Sequence, residues 1–266
     1  MKRIIVQLYE IQDPHEAEKL IGLGVDRIGS VILTPENWKV PAVRDVVRLV
    51  RGSGSRSSLI PLMERQDDIL RCLDYYQPDI AHFCELIPLS PRDRQKRETA
   101  CEALDAIQRR VRREFPEMGI TRSIPLPAPG PADAAAIREA IVAIAGTLAA
   151  ASDGFMTDTL RGLGRPEEEQ PVAGYVGITG EICDWDLAGT LVAESLRPVI
   201  LAGGIGPDNV FDALLRVKPA GIDSCTRTNA LDNRGRPIRF KKDMDRVRRL
   251  LDEVRRAEEH LPAGTP

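Results

Sequence analysis

Residues 197–229, RPVILAGGIGPDNVFDALLRVKPAGIDSCTRTN, constrain the fold more than any other stretch. A short apolar run, Val199 to Ala202, breaks at Gly203 and Gly204, passes Pro207 and Asp208, and restarts with helical spacing at Val210, Leu214, Leu215 and Val217. A second short run, Gly221 to Cys225, follows and ends in Thr226, Arg227 and Thr228. Strand, glycine turn, helix and strand in this order make two parallel strands joined by a crossover, which delivers both strand ends to one side of a sheet. Glycines there let backbone N–H groups approach an anion closely, and the following helix N-terminus adds a favourable dipole. Gly203, Gly204, Cys225, Thr226 and Arg227 are therefore candidate phosphate ligands; the plainer reading is that the two glycines only make a tight turn.

The rest of the chain repeats the pattern. Short buried-type runs at Arg3 to Tyr9, Val25 to Leu33, Leu59 to Met63, Asp79 to Cys84, residues 120–127 and Gly154 to Asp158 alternate with helix-length segments. The helices fall near residues 14–23, 42–50, 68–76, 90–115, 131–149, 184–195 and 210–217, and a last amphipathic one starts at about Lys241. Short strands alternating with helices over roughly 250 residues predict a single (β/α)8 barrel. The predicted barrel covers residues 1–258, with 259–266 as a C-terminal tail. A doubly wound open sheet also alternates, but the first turn, YEIQDP, lacks the glycine fingerprint of a dinucleotide-binding sheet.

Composition narrows the function classes. With 37 basic and 40 acidic side chains, the formal charge is −3 and no polybasic block stands apart, so nucleic acid is not an expected partner. The apolar run of MKRIIVQLYE is too short for a secretory core, and no later segment was expected to reach membrane-spanning length. A cytoplasmic protein is the expectation. Five cysteines without a CxxC, and three scattered histidines (His15, His82, His260), suggest neither a disulfide framework nor a metal site, and no cofactor is implied.

Five segments, FMTDT (155–159), GITGEICDW (177–185), LAGGIGPDNV (201–210), GIDSCTR (221–227) and KKDMDRV (241–247), resemble in order and spacing the second half of phosphoribosylanthranilate isomerases. The opening VQLYEIQDPHEAEKLIGLGVDRIG is similar to that family's first signature in degraded form. The family is a (β/α)8 barrel of tryptophan biosynthesis that converts an N-glycosidic aminoaldose phosphate to an aminoketose phosphate by an Amadori rearrangement. By this resemblance Asp158 stands at the general acid, Gly203 and Gly204 at the phosphate loop, and Cys225, Thr226 and Arg227 at its Ser-Ser-Gly partner. Asp223 matches an aspartate on the last strand, Gly180 belongs to a mobile glycine-rich segment, and Lys39 lies near an arginine that holds the anthranilate carboxylate.

The first strand departs from the family. Tyr9 stands where the general-base cysteine belongs and Gln7 where a lysine does. A phenol with a pKa near ~10 is a poorer base at neutral pH than a thiol near ~8.5. His82 and Cys84 share a parity on the fourth strand, which predicts both at the barrel mouth as replacement bases, with His82 alternatively a hydrogen-bonded interior residue. Glu10 was expected to point away unless the strand has already ended. The expected function is an isomerase of a phosphorylated sugar or aminosugar; the alternatives are phosphoribosylanthranilate isomerase itself and a non-catalytic barrel that binds a phosphorylated ligand. The partner is a small phosphorylated molecule, and the helical segment 90–115 is either a homodimer surface or a longer outer helix.

Overall fold

The apolar runs pair in the order in which they occur. The computed structural model describes residues 3–162 and 171–261. Its barrel alternates β1 (Ile5–Leu8), α1 (Pro14–Gly22), β2 (Arg27–Ile32), α2 (Pro41–Arg51), β3 (Arg56–Pro61), α3 (Gln66–Tyr76), β4 (Ile80–Phe83) and α4 (Arg94–Glu114). It continues with β5 (Gly119–Pro127), α5 (Ala134–Leu148), β6 (Gly154–Leu160), α6 (Trp185–Glu194), β7 (Val199–Leu201), α7 (Val210–Val217) and β8 (Gly221–Ser224). Every neighbouring pair of these strands is parallel, and β1 pairs with β8 as well as β2, so the sheet closes and the open-sheet alternative is excluded. Closure brings all the strand C-termini to one rim, where barrels carry their chemistry.

Helix placement follows from local signals. Asp13 caps α1, its carboxylate accepting from the His15 amide at 2.9 Å, and Pro14 supplies a pre-set φ at the first helical position. In α2, Val43, Val46, Val47 and Val50 recur on one face and are buried. Each buried valine contributes roughly 1.5–3 kcal/mol, an upper figure because the unfolded chain already buries some surface. Asp184 caps α6 through the amides of Asp186 and Leu187, both at 3.0 Å.

Four expectations need correction. No element was expected between residues 229 and 240, where the chain forms an antiparallel hairpin, β9 (Asn229–Leu231) and β10 (Pro237–Lys242). The last helix, α8 (Met244–His260), therefore starts later than Lys241, after a cap by Asp243. Lys242 belongs to the hairpin instead: it is buried, and its ammonium donates to Asn229 Oδ1 at 2.6 Å and to the Cys225 carbonyl at 2.8 Å. The expected tail begins too early, since Glu259 and His260 are the last turn of α8; residues 262–266 lie outside the described residues. Finally, Ala134–Ala151 is long and apolar enough to cross a membrane, contrary to expectation, but it packs as α5 with Ile137, Ile141, Ile144 and Leu148 buried.

Candidate active site

At the C-terminal rim lies a cavity of two adjoining compartments. One is apolar, walled by Val31, Ile60, Leu62, Met156, Val172, Val176 and Ile178 together with Tyr9 and Tyr175. The other is polar, walled by Thr179, Gly180, Gly203, Gly204, Thr226 and Arg227. Asp158, Ile178, Asp223 and Cys225 line both.

The polar compartment is built by the turn after β7 and the short turn after β8. Gly203 and Gly204 have φ of +92° and +62°, consecutive left-handed conformations that only glycine adopts cheaply. A Cβ on Gly204 would also stand 2.6 Å from the carbonyl carbon of Glu181, so the chain passes too closely there for any side chain. Asn209 clamps the turn, donating to the Gly204 carbonyl and accepting from the Gly206 amide, both at 2.9 Å. Across the compartment, Arg227 presents a guanidinium whose buried Nε has no hydrogen-bond partner. A buried donor without an acceptor costs free energy that an anion would recover.

Two carboxyl groups stand between the compartments. Asp158, on β6, accepts from Ser123 Oγ at 3.0 Å. Burial, and then the nearby Asp223 carboxylate, hold its pKa well above the usual carboxylate range. Asp223, on β8, is pushed up to about 7, chiefly by burial; a hydrogen bond from Gln7 and the charge of Lys242 act in the opposite direction. Gln7 is buried beneath the cavity and does not line it. Its Nε2 donates to Asp223 Oδ1 at 3.2 Å and to Met156 Sδ at 3.3 Å, so it reaches the pocket through these two lining residues.

The candidate bases separate. Tyr9 lines the apolar compartment, and burial raises its pKa well above the ordinary phenol value. His82 shares inward parity with Cys84 but lies deeper: it is fully buried, absent from the cavity wall, and hydrogen-bonded through both nitrogens, to Tyr9 at 2.7 Å and Ser123 at 2.9 Å. The expectation that His82 sits at the mouth is thus corrected, since His82 lies within β4 while Cys84 lies just past its C-terminal end. Cys84 does line the cavity, but burial first, and then the charges of Glu85 and Asp158, push its thiol far up. Such a thiol resists becoming a thiolate.

Lys39 is not brought to the cavity. It is exposed, with its ammonium 5.0 Å from the Trp38 ring centroid and 5.5 Å from that of Tyr75, because α2 begins at Pro41 and turns this loop outward. Glu10 moves the other way. With β1 ended at Leu8, Glu10 adopts φ +66° and enters the apolar compartment, where Arg239 of β10 pairs with its Oε1 and its Oε2 is buried without a partner. Ser58, Ser123 and Asn209 also serve the site and were not singled out from the sequence. Serines inside apolar strands were the available signal for the first two.

A family sequence model described as N-(5'-phosphoribosyl)anthranilate (PRA) isomerase matches residues 156–226. A curated N-(5'-phosphoribosyl)anthranilate isomerase of Methanosarcina acetivorans is 38% identical over 84 residues, 32% of each chain, so the match spans about a third of that relative's length. One from Methanothrix thermoacetophila is 25% identical over 247 residues, 91% of this chain and 97% of that one. Among solved structures, a phosphoribosyl anthranilate isomerase in complex with reduced 1-(o-carboxyphenylamino)-1-deoxyribulose 5-phosphate superposes with a TM-score of 0.60 at 15% identity, covering 95% of this chain and 98% of that one. That likeness is one of fold.

Proposed function

We propose that the chain is a member of the N-(5'-phosphoribosyl)anthranilate isomerase family, to which it is similar, and that it catalyses an Amadori-type isomerisation of a 5-phosphorylated N-ribosylamine, the tryptophan-pathway substrate first among them. One observation carries the reading: Asp158 lines both the polar and the apolar compartment. A ligand anchored by phosphate at Gly203, Gly204, Thr226 and Arg227, with its aryl group against Val31, Ile60 and Leu62, would pass its sugar ring across Asp158. With its affinity for a proton raised by its surroundings, Asp158 is suited to carry a proton and deliver it to the ring oxygen as the sugar opens. The general sugar-phosphate isomerase first expected gives way to this narrower reading, because an apolar compartment next to the sugar position suits an arylamine better than a second sugar hydroxyl array.

A second reading concerns the aryl group. Among the described residues no lysine or arginine lines the apolar compartment, Lys39 lies elsewhere, and Arg239 is committed to Glu10. This favours an amine substituent without a carboxylate. The proposed reaction takes a small phosphorylated substrate and is proposed to run in the cytoplasm. Assay of the purified protein with N-(5'-phosphoribosyl)anthranilate and with the corresponding N-phenyl glycosylamine tests both readings. Turnover of the first supports the tryptophan-pathway reaction; turnover of the second alone supports the uncharged substituent. Binding of both without turnover would identify a non-catalytic barrel.

A further inference from the structure

An isomerisation of this kind needs a base, and the residue at that place is a buried phenol. Three hydrogen bonds connect it to the acid, and a fourth ties it to Ser58. Ser58 Oγ lies 2.5 Å from the Tyr9 hydroxyl, which lies 2.7 Å from His82 Nδ1. His82 Nε2 lies 2.9 Å from Ser123 Oγ, and Ser123 Oγ lies 3.0 Å from Asp158 Oδ2. The five side chains come from the end of β1 and from β3, β4, β5 and β6, and the four leading to Asp158 are at most 4% exposed. Tyr9 and Asp158 both line the apolar compartment, so the acid and the phenol can meet the same ligand.

We propose that this chain of hydrogen bonds is a proton relay that prepares Asp158 as acid and Tyr9 as base in a single movement. With Asp158 ionised, every donor points one way: Ser58 to Tyr9, Tyr9 to His82 Nδ1, His82 Nε2 to Ser123, and Ser123 to Asp158. Shifting three protons one place each breaks the Tyr9 O–H, His82 Nε2–H and Ser123 O–H bonds and forms His82 Nδ1–H, a new Ser123 O–H and Asp158 O–H. The products are a carboxylic acid and a tyrosinate that accepts from Ser58 and His82. In the isomerisation, Asp158 then gives its proton to the ring oxygen as the bond from that oxygen to the anomeric carbon breaks. The tyrosinate takes the proton of the neighbouring carbon, whose electron pair forms the carbon–carbon double bond. Asp158 is then a carboxylate and Tyr9 a phenol again, with the His82 proton still on Nδ1. The enaminol gives its hydroxyl proton to Asp158 as Tyr9 protonates the former anomeric carbon, and the three relay protons shift back to their starting places.

The imidazole suits a carrier better than a store of protons. Burial first, and then the charges of Arg122 and Arg27, push its pKa down to about 3, so it stays neutral and only exchanges tautomers. The other charged or titratable groups facing the relay are Cys84 from β4 and Asp223 from β8. Asp223 raises the pKa at both Tyr9 and Asp158.

One arm of the test is independent of turnover. Nitrogen-15 spectra of histidine-labelled protein distinguish buried His82 from exposed His15 and His260. The relay predicts a neutral His82 whose proton moves from Nε2 to Nδ1 in step with protonation of the Asp158 carboxyl, and a Ser123→Ala variant in which the tautomer no longer follows it. A His82 that titrates to imidazolium in the ordinary range, or whose tautomer ignores Asp158, overturns the relay. The kinetic arm rests on the proposed isomerisation. Ser123→Ala should keep KM and lower kcat about 10²-fold or more, and Ser123→Thr, which restores a hydroxyl, should recover most of the rate. An unchanged kcat in Ser123→Ala overturns the relay while leaving the isomerase reading intact; an inactive wild type with the tautomer switch present supports the relay and removes only that reading.

Discussion

Gly29 lies directly against the ring of Tyr9: a Cβ built on Gly29 would stand 2.4 Å from two of the ring carbons. The Tyr9 phenol thus depends on a missing side chain on the neighbouring strand. The ring then reaches across to Ser58 and His82.

Gly29→Ala should therefore act on the site as well as on stability. Forcing a methyl group into this contact costs about 1–3 kcal/mol, read as a lowered urea midpoint with unchanged m. The displaced Tyr9 should release His82 Nδ1, seen as a changed tautomer in nitrogen-15 spectra. A variant with wild-type stability and an unaltered His82 would mean that the ring is not held where the geometry puts it.

Arg227→Ala should weaken inorganic phosphate binding and raise KM about 10-fold to 100-fold with kcat nearly unchanged, as expected for an interaction equally strong in ground and transition states. The motive is the unpartnered Nε in the polar compartment. Isothermal titration with phosphate checks the first part and steady-state kinetics the second. Arg227→Lys should recover the charge but not the planar fork.

Stability should respond to pH through three buried groups. Asp223, raised from the ordinary aspartate value to about 7, and Asp158, raised further, bind more protons folded than unfolded above pH 4. Their contribution is complete below the unfolded carboxylate pKa and is lost as pH rises, for Asp223 through about 7. His82, lowered to about 3, has the opposite sign: its neutral folded form adds stability as pH rises from about 3 to the unfolded histidine value near ~6.5. With two groups against one, wild-type stability should decline between pH 4 and 6.5 and decline more steeply just above. Asp223→Asn should flatten the first interval. Urea midpoints at a series of pH values read this directly.

The barrel was legible because each strand is a short apolar run and each helix carries a repeating apolar face, as in the four valines of α2. The meeting of Gly203 and Gly204 with the trio ending in Arg227 in one compartment was legible because they lie on consecutive strand ends, so sequence order implies adjacency. The relay was not. Ser58, His82 and Ser123 come from three strands, and a serine in an apolar run looks the same whether it faces a helix or a histidine. The side taken by Glu10 depended on where the strand stops, because alternation holds only while it lasts, and β1 ends two residues earlier. The β9–β10 hairpin escaped notice because its alternating arginines and lysines mimic an exposed loop.

The central claim is that Asp158 is the acid of an isomerisation whose substrate spans both compartments. Its most direct test is the single-turnover rate of Asp158→Asn on N-(5'-phosphoribosyl)anthranilate at saturating concentration, beside wild type. The account predicts a rate lower by about 10² to 10⁴, the range of a lost general acid, with phosphate affinity retained. A variant that turns over as fast as wild type would contradict it.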